Sequence, residues 1–163
     1  MTVDRTSALR DGRLVAVSAP ASGERAEIPR LLAAAADPRS EAFAQADRRG
    51  DAPATLIARA LDGGELLGYA AWVAAAGGGH GDFFCAVDPA ATGLGLGTLL
   101  LRTAASAAGK SGLRALRVEL HPQARALAAM LRDCGLPSQW DLEHPVARVE
   151  LLLGQRRPGW ATP

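Results

Sequence analysis

The sequence has little cysteine, few aromatic residues and no excess of charge of either sign. Its 163 residues include two cysteines, with no Cys-x-x-Cys pair and no histidine cluster nearby, which argues against a disulfide scaffold or a structural metal site. The net charge of +1 argues against a nucleic-acid partner or a polybasic membrane patch. The longest hydrophobic run, residues 66–76, is too short to span a bilayer. With no signal peptide recognised, we expect a cytoplasmic protein with no bound metal and no membrane partner.

Alanine, in contrast, is abundant, and the apolar fraction of 48% is enough to form one core in a chain of this length. Small apolar side chains allow backbones to approach closely, which favours helices packed tightly against a sheet. We predict a single domain over residues 1–153, followed by a flexible tail over residues 154–163.

Short apolar runs alternate with segments of helical periodicity along the chain. Helices are predicted over residues 24–36, 98–108 and 122–134, with a short additional helix near Phe43. Strands are predicted over residues 14–17, 54–60, 65–73, 82–87, 113–120, 139–142 and 147–153. The Asp-Gly-Gly at residues 62–64 allows the positive φ angles of a hairpin between the second and third strands. This order of elements is that of a mixed α/β domain with about seven strands.

The segment Thr92-Gly-Leu-Gly-Leu-Gly-Thr98 lies between a predicted strand and a predicted helix. Glycines let backbone N–H groups approach an anion closely, and a helix start adds unpaired donors and a partial positive charge. The segment is therefore a candidate phosphate site, although a glycine turn for tight helix packing has the same pattern. A dinucleotide fold requires Gly-x-Gly-x-x-Gly directly after its first strand, and here Gly97 comes one place early. A P-loop requires a Lys-Ser/Thr pair that this segment lacks.

The same segment resembles the Q/R-x-x-G-x-G/A signature of the GNAT superfamily of N-acetyltransferases, with Thr92, Gly95 and Gly97 at the signature positions. The order of elements extends the resemblance over most of the chain. Residues 9–13 (Leu-Arg-Asp-Gly-Arg) and residues 130–137 are similar to segments of bacterial protein lysine acetyltransferases whose substrates include acyl-CoA synthetases. The resemblance implies one GNAT-like α/β domain, with a mixed, mostly antiparallel sheet and helices on both faces. It also implies a splayed cleft between the superfamily's fourth and fifth strands, here residues 82–87 and 113–120.

The resemblance further implies acetyl-CoA as co-substrate, with its pantetheine along the fourth strand and its diphosphate on the glycine segment. The residues then expected at the co-substrate are Phe84, Cys85, Ala86, Val87, Thr92, Gly93, Leu94, Gly95, Leu96, Gly97 and Thr98. Three positions depart from the superfamily's pattern. Thr92 replaces an arginine or glutamine, Ala124 replaces a frequent asparagine, and Leu131 replaces the tyrosine that often protonates the leaving thiolate.

Two carboxylates are candidates for the catalytic base. An amine with a pKa of about 10.4 must lose a proton before it attacks a thioester, so a carboxylate or histidine is needed nearby. Asp82 is the first candidate, because the resemblance aligns it with a glutamate of protein acetyltransferases; a solvated residue at a strand start is the alternative. Glu119, on the other strand of the cleft, is the second candidate, and an ion pair with Arg117 or Arg148 is its alternative role.

The predicted function is acetyl-CoA-dependent transfer of an acetyl group to an amine, either a protein lysine or a small molecule. The alternative is a catalytically weak or inactive acyl-CoA-binding regulatory module of the same fold, which the three departures favour. A structural α/β domain that binds no nucleotide is a third interpretation. We also predict a homodimer, because the apolar strand at residues 149–153 could cover the edge of another chain.

Overall fold

An eight-stranded sheet runs through the computed structural model, which describes residues 5–34, 39, 54–122, 124–143 and 145–154. The strands are β1 (Arg5–Ala8), β2 (Leu14–Ser18), β3 (Ala54–Ala60), β4 (Leu66–Ala74), β5 (His80–Val87), β6 (Ala115–Leu120), β7 (Ser138–Asp141) and β8 (Ala147–Leu152). The α-helices in these ranges are α1 (Ile28–Ala34), α2 (Leu96–Lys110) and α3 (Arg125–Asp133), with 3-10 turns at Glu24–Glu27 and Pro89–Ala91. The predicted short helix near Phe43 and the predicted tail after Gly154 lie outside the described residues.

The strand order is β1-β2-β3-β4-β5-β6-β8-β7, and every neighbouring pair is antiparallel except β5 with β6. This confirms the mixed, mostly antiparallel sheet expected from the sequence. The predicted hairpin between β3 and β4 is present. Its turn uses Gly64, which has a φ of +66° and donates its N–H to the carbonyl of Ala60 at 2.9 Å.

The sheet has one strand more than the seven predicted, and the additional strand is β1. Its sequence, Arg-Thr-Ser-Ala, has no apolar alternation. The strand forms because its backbone pairs with β2, from Arg5 opposite Val17 to Ala8 opposite Leu14. Such pairing uses N–H and C=O groups that every residue has, so it leaves no pattern in the side chains. Because of β1, the fourth and fifth strands of the sequence prediction are β5 and β6.

Helices cover both faces of the sheet, as expected. The face covered by α1, here called the α1 face, buries Ile28, Leu31 and Leu32 against β3, β4 and β5. The opposite face, here called the α2 face, is covered by α2, with α3 on the same side. A glycine in β4 allows α2 to lie close to the sheet, since a Cβ on Gly68 would stand 2.7 Å from Cδ1 of the fully buried Leu100.

The strand on which the dimer was predicted is not at an edge. β8 lies between β6 and β7 and pairs with both, and its residues Val149 and Leu151 are fully buried in the core of the chain. An edge-to-edge contact through β8 is therefore not available, because its backbone groups are already used. Among the described strands, β1 and β7 form the two edges. The homodimer itself stays a prediction.

Candidate active site

The two central strands pair over only a short length and form a fork. β5 and β6 are parallel, and their register ends where Asp82 lies opposite Arg117. Beyond this point residues 83–87 of β5 still pair with β4 on their other side. The register of β5 with β6 does not extend to the backbone groups of residues 83–87 that face away from β4. An extended ligand could pair with them as an additional strand. The cleft expected between these strands is thus a fork with its vertex at Asp82.

The glycine loop, defined as residues 92–98, connects the 3-10 turn after β5 to α2. Gly93 and Gly95 have φ angles of +79° and +89°, a conformation that favours glycine because a Cβ is strained there. Gly95 is the N-cap residue of α2 and has no side chain to cap it. The amides of residues 93–98 donate no hydrogen bond to another described residue. Because α2 is 15 residues long, its first turn presents these N–H groups together with the positive end of a helix dipole.

Gly97 joins the glycine loop to the walls of the fork. A Cβ at this position would stand 2.8 Å from Sδ of Met130 on α3 and 3.8 Å from Cγ2 of Val87 at the end of β5. Glycine therefore allows α2, α3 and β5 to meet at one point. The structure thus brings the loop and the end of β5 together.

The strand residues expected at the co-substrate point their side chains into the two cores. Phe84 and Ala86 are buried on the α1 face, and Cys85 and Val87 are half-buried on the α2 face. Their side chains therefore belong to the packing of the domain. What this part of β5 can offer a ligand in the fork is its backbone.

The two candidate bases lie near the vertex, on the α1 face. A cavity of about 320 Å³ there is lined by Arg39, Val73, Asp82, Phe83, Arg117, Glu119 and Arg148. Asp82 is exposed, and its side chain makes no hydrogen bond or ion pair with a described residue. The carboxylate of Glu119 lies 3.6 Å from Nε of Arg148, its partner in the register of β6 and β8.

Glu119 therefore has the ion pair that the sequence left open, and Arg148 is the partner. The other arginine considered, Arg117, pairs with Glu150 across the same two strands at 3.0 Å. These two cross-strand pairs neutralise the carboxylates of Glu119 and Glu150. Asp82 is the carboxylate at the vertex that no described cation neutralises by direct contact.

The turn between β1 and β2 packs against the glycine loop. The backbone N–H of Arg10 donates to the carbonyl of Leu94 at 3.1 Å, and Nη1 of Arg10 donates to the carbonyl of Gly93 at 3.3 Å. Arg13 donates from Nη2 to the carbonyl of Ala90 at 3.0 Å. In the sequence this turn is notable only for its resemblance to other acetyltransferases. No local signal predicts its contact with a loop 83 residues further along the chain.

The three departures from the superfamily's pattern leave those positions without acid, amide or charge. The hydroxyl of Thr92 donates to the carbonyl of Asp88 at 3.3 Å, within the preceding turn. Ala124 is the N-cap residue of α3 and has no capping side chain. Leu131 is fully buried and has no proton to give.

Two further features are absent from the ranges that the structure describes. No helix there is long and apolar enough to cross a membrane. No group of three or more histidine, cysteine, aspartate or glutamate side chains there could hold a metal ion.

A parallel strand pair that forks beside a glycine loop and a helix start defines a class, the acetyltransferases of the GNAT type. The model of the acetyltransferase (GNAT) family matches residues 24–136, more than half of the chain, and the chain belongs to this family. The members of this family transfer acetyl groups from acetyl-CoA to amines, and this chain is accordingly an N-acetyltransferase.

Solved structures of acetyltransferases share the fold. The GNAT domain of S. lividans PAT is 18% identical, with a TM-score of 0.71 over 92% of this chain and 97% of that chain. An acetyltransferase of the GNAT family from Streptococcus pneumoniae is 21% identical, with a TM-score of 0.64 over 86% and 99% of the two chains. A phosphinothricin acetyltransferase from Sinorhizobium meliloti in complex with acetyl-CoA is 16% identical, with a TM-score of 0.66 over 86% and 89%. At these identities the likeness shows the fold alone. No curated protein matches the chain.

Proposed function

We propose that this chain transfers the acetyl group of acetyl-CoA to an amine that binds at the vertex of the fork. The observation that carries the proposal is the order of two backbone features along the chain. β5 separates from β6 after Asp82, and its residues 83–87 are followed by a glycine loop whose amides, residues 93–98, donate no hydrogen bond to another described residue. A molecule with an amide-containing arm and a diphosphate matches this order, with the arm along the strand and the diphosphate at the helix start. Acetyl-CoA has both parts.

In this proposal Asp82 takes the proton from the acceptor amine. An alkyl amine with a pKa of about 10.4 is protonated at neutral pH and cannot attack a carbonyl in that form. Asp82 lies at the vertex, is exposed, and forms no ion pair with a described residue. Its carboxylate is free to accept a proton directly or through one water molecule. Glu119 is the second candidate, since it would first have to leave Arg148.

Acetyl-CoA supplies the thioester whose carbonyl carbon the amine attacks. A bond forms from the amine nitrogen to that carbon, the carbon–sulfur bond breaks, and sulfur leaves with the electron pair. The alkylammonium gives one proton to Asp82 before the attack, and the nitrogen loses a second proton to water as the amide forms. A backbone N–H of β5, at or near Cys85, would polarise the carbonyl. Because Leu131 is apolar and fully buried, the thiolate would take its proton from water.

We propose a protein lysine as the acceptor. One observation supports this choice, the resemblance of residues 9–13 and 130–137 to segments of protein lysine acetyltransferases. The group in the cavity that could receive the cationic end of a lysine is the carboxylate of Asp82, since Glu119 pairs with Arg148. A small amine is the other acceptor class.

A second candidate function is a catalytically weak or inactive acyl-CoA-binding module. The specific observations in its favour are the buried Leu131, which cannot protonate a thiolate, and the neutral Thr92 at the glycine loop. Both candidates require the fork and the loop to bind acetyl-CoA. They differ only in whether an acceptor is turned over.

Two measurements separate these functions. Calorimetric titration with acetyl-CoA tests binding, and the release of free CoA is then followed with lysine-containing peptides, polyamines and amino acids as acceptors. We expect binding and a release of CoA that depends on the acceptor, above the rate without acceptor. Binding without acceptor-dependent release would support the binding module. A folded protein that does not bind acetyl-CoA would contradict both candidates.

A further inference from the structure

The glycine loop has no basic side chain of its own to face an anion. Residues 92–98 contain only threonine, glycine and leucine. Thr92, at the position where the signature has an arginine or glutamine, uses its hydroxyl to donate to Asp88. A diphosphate at this loop would therefore meet backbone amides and the helix dipole, but no cation from the loop itself.

A guanidinium from another part of the chain lies at this loop. The backbone of Arg10 is held by the hydrogen bond from its N–H to Leu94. Its Nη1 is 3.3 Å from the carbonyl oxygen of Gly93, and its Nε is 3.9 Å from the place where a Cβ on Gly95 would stand. The charged end of Arg10 is thus next to the N-cap residue of α2.

Arg10 is available to a ligand, whereas its neighbour Arg13 is not. Arg13 forms an ion pair with Asp11 at 2.7 Å, and this hydrogen bond lowers the pKa of the Asp11 carboxyl. Arg13 also donates to the carbonyl of Ala90. Arg10 is exposed and makes no ion pair with a described residue, and its contact with Gly93 occupies only part of the donor set of a guanidinium.

The surroundings of Arg10 are also basic. A groove of about 280 Å³ lies between the β1–β2 hairpin and α2, and it reaches the glycine loop at Leu94 and Gly95. Arg5, Arg10 and Arg102 line it, and none of the described residues that line it is acidic. A cleft with cations and no carboxylate attracts anions.

We propose that Arg10 binds the diphosphate of CoA and supplies the cation that the glycine loop lacks. The proposal rests on the proposed function, since it adds a residue to the same co-substrate site. Guanidinium groups form charge-assisted and often bidentate hydrogen bonds with phosphates, so loss of this contact should weaken binding by about tenfold or more. Arg10 acts in binding only, and the bonds of the reaction form and break at the vertex of the fork.

The test compares two ligands that differ in the diphosphate. The affinities of CoA and of S-acetylpantetheine, which has no diphosphate, are measured at low ionic strength for the wild type, Arg10→Gln and Arg30→Gln. We expect Arg10→Gln to weaken CoA binding by about tenfold or more and to change S-acetylpantetheine binding by less than about twofold. Arg30→Gln is the control, because it removes the same charge from an exposed position on α1, on the opposite face of the sheet, and should change neither affinity.

Thr92→Arg tests the same idea without altering Arg10. In the wild type Thr92→Arg should strengthen CoA binding by less than about threefold, because the guanidinium of Arg10 already binds the diphosphate. In the Arg10→Gln protein the same change should restore most of the lost affinity. A large gain from Thr92→Arg in the wild type would overturn the proposal. This comparison holds even if Arg10→Gln does not fold.

Two other results would also overturn the proposal that Arg10 binds the diphosphate. One is equal CoA affinity of the folded Arg10→Gln variant and the wild type. The other is an equal loss for CoA and S-acetylpantetheine, which would mean that Arg10 only shapes the loop. A wild type that binds neither ligand would instead remove the proposed function, and this proposal with it.

Discussion

Asp82→Asn separates the chemistry of the fork from its folding and from co-substrate binding. The asparagine keeps the size of the side chain and removes its basicity. Because Asp82 is exposed and its side chain makes no hydrogen bond or ion pair with a described residue, its replacement should change the free energy of unfolding by no more than about 0.5 kcal/mol. Acetyl-CoA affinity should stay within about threefold, since the vertex lies at the opposite end of residues 83–87 from the glycine loop.

Turnover, in contrast, should fall steeply. Loss of a positioned general base costs about 10²-fold to 10⁴-fold, so the barrier should rise by about 3–5 kcal/mol. The assay is the acceptor-dependent release of CoA at saturating acetyl-CoA, measured as kcat/KM for the acceptor. Raising the pH should partly restore the variant, because a larger fraction of the amine is then neutral without help from the protein.

Glu150→Gln is the matched control for this experiment. Glu150 lies on the same face of the sheet and pairs with Arg117, the residue opposite Asp82, so the change also converts a carboxylate near the vertex to an amide. We expect it to keep turnover within about threefold of the wild type. If Asp82→Asn keeps wild-type turnover at neutral pH while chemistry limits the rate, Asp82 is not the base. Glu119→Gln would then be the next variant to measure.

Three further predictions concern packing and acid stability. Gly68→Ala places a methyl group 2.7 Å from Cδ1 of the buried Leu100. Thermal unfolding should therefore show a free energy of unfolding that is lower by roughly 1–3 kcal/mol. An unchanged free energy of unfolding would contradict the close packing of α2 on β4. Gly97→Val should weaken acetyl-CoA binding in calorimetry by forcing α3 away from the loop; the same affinity in a folded variant would be evidence against that junction. The hydrogen bond from Arg59 lowers the pKa of Glu27 below its ordinary 4.5, so this pair stabilises the fold above that pH and loses its effect as the pH falls through the lowered value. The difference in urea midpoint between the wild type and Arg59→Gln should therefore shrink below pH 4.5, and a constant difference would refute this assignment.

The expectations for the fold were met where the signal was local. The hairpin of β3 and β4 was predicted because Gly64 allows a positive φ in the turn between two apolar strands. The glycine loop was recognised because its glycines stand between a strand and a helix and let N–H groups approach an anion closely. In the structure Gly93 and Gly95 also have positive φ angles. The strand β1 was missed because its four residues carry no apolar pattern, and only the backbone of β2 makes them a strand.

The candidate site likewise has features that the sequence predicted and features that it left open. The positions of Asp82 and Glu119 on neighbouring strands were expected, but the partner of Glu119 was left open between two arginines. The register of β6 with β8 places Arg148 opposite Glu119. The register between two strands that are far apart in the sequence cannot be predicted from the residues of either strand alone. Arg10 was not recognised as a neighbour of the loop, because the contact depends on how the β1–β2 turn folds back onto α2.

The sequence by itself determined the order of the described elements from β2 to β8, the positive φ in the turn between β3 and β4, and the family to which the glycine loop points. These features follow from apolar periodicity and from the backbone freedom of glycine, which act within a few residues. Only the tertiary structure decided that β5 and β6 stop pairing at Asp82, and that the guanidinium at the loop comes from Arg10. Both depend on hydrogen bonds between segments far apart in the chain. Because every residue has the backbone groups that make most of those bonds, the side-chain pattern does not show where such pairing begins or ends.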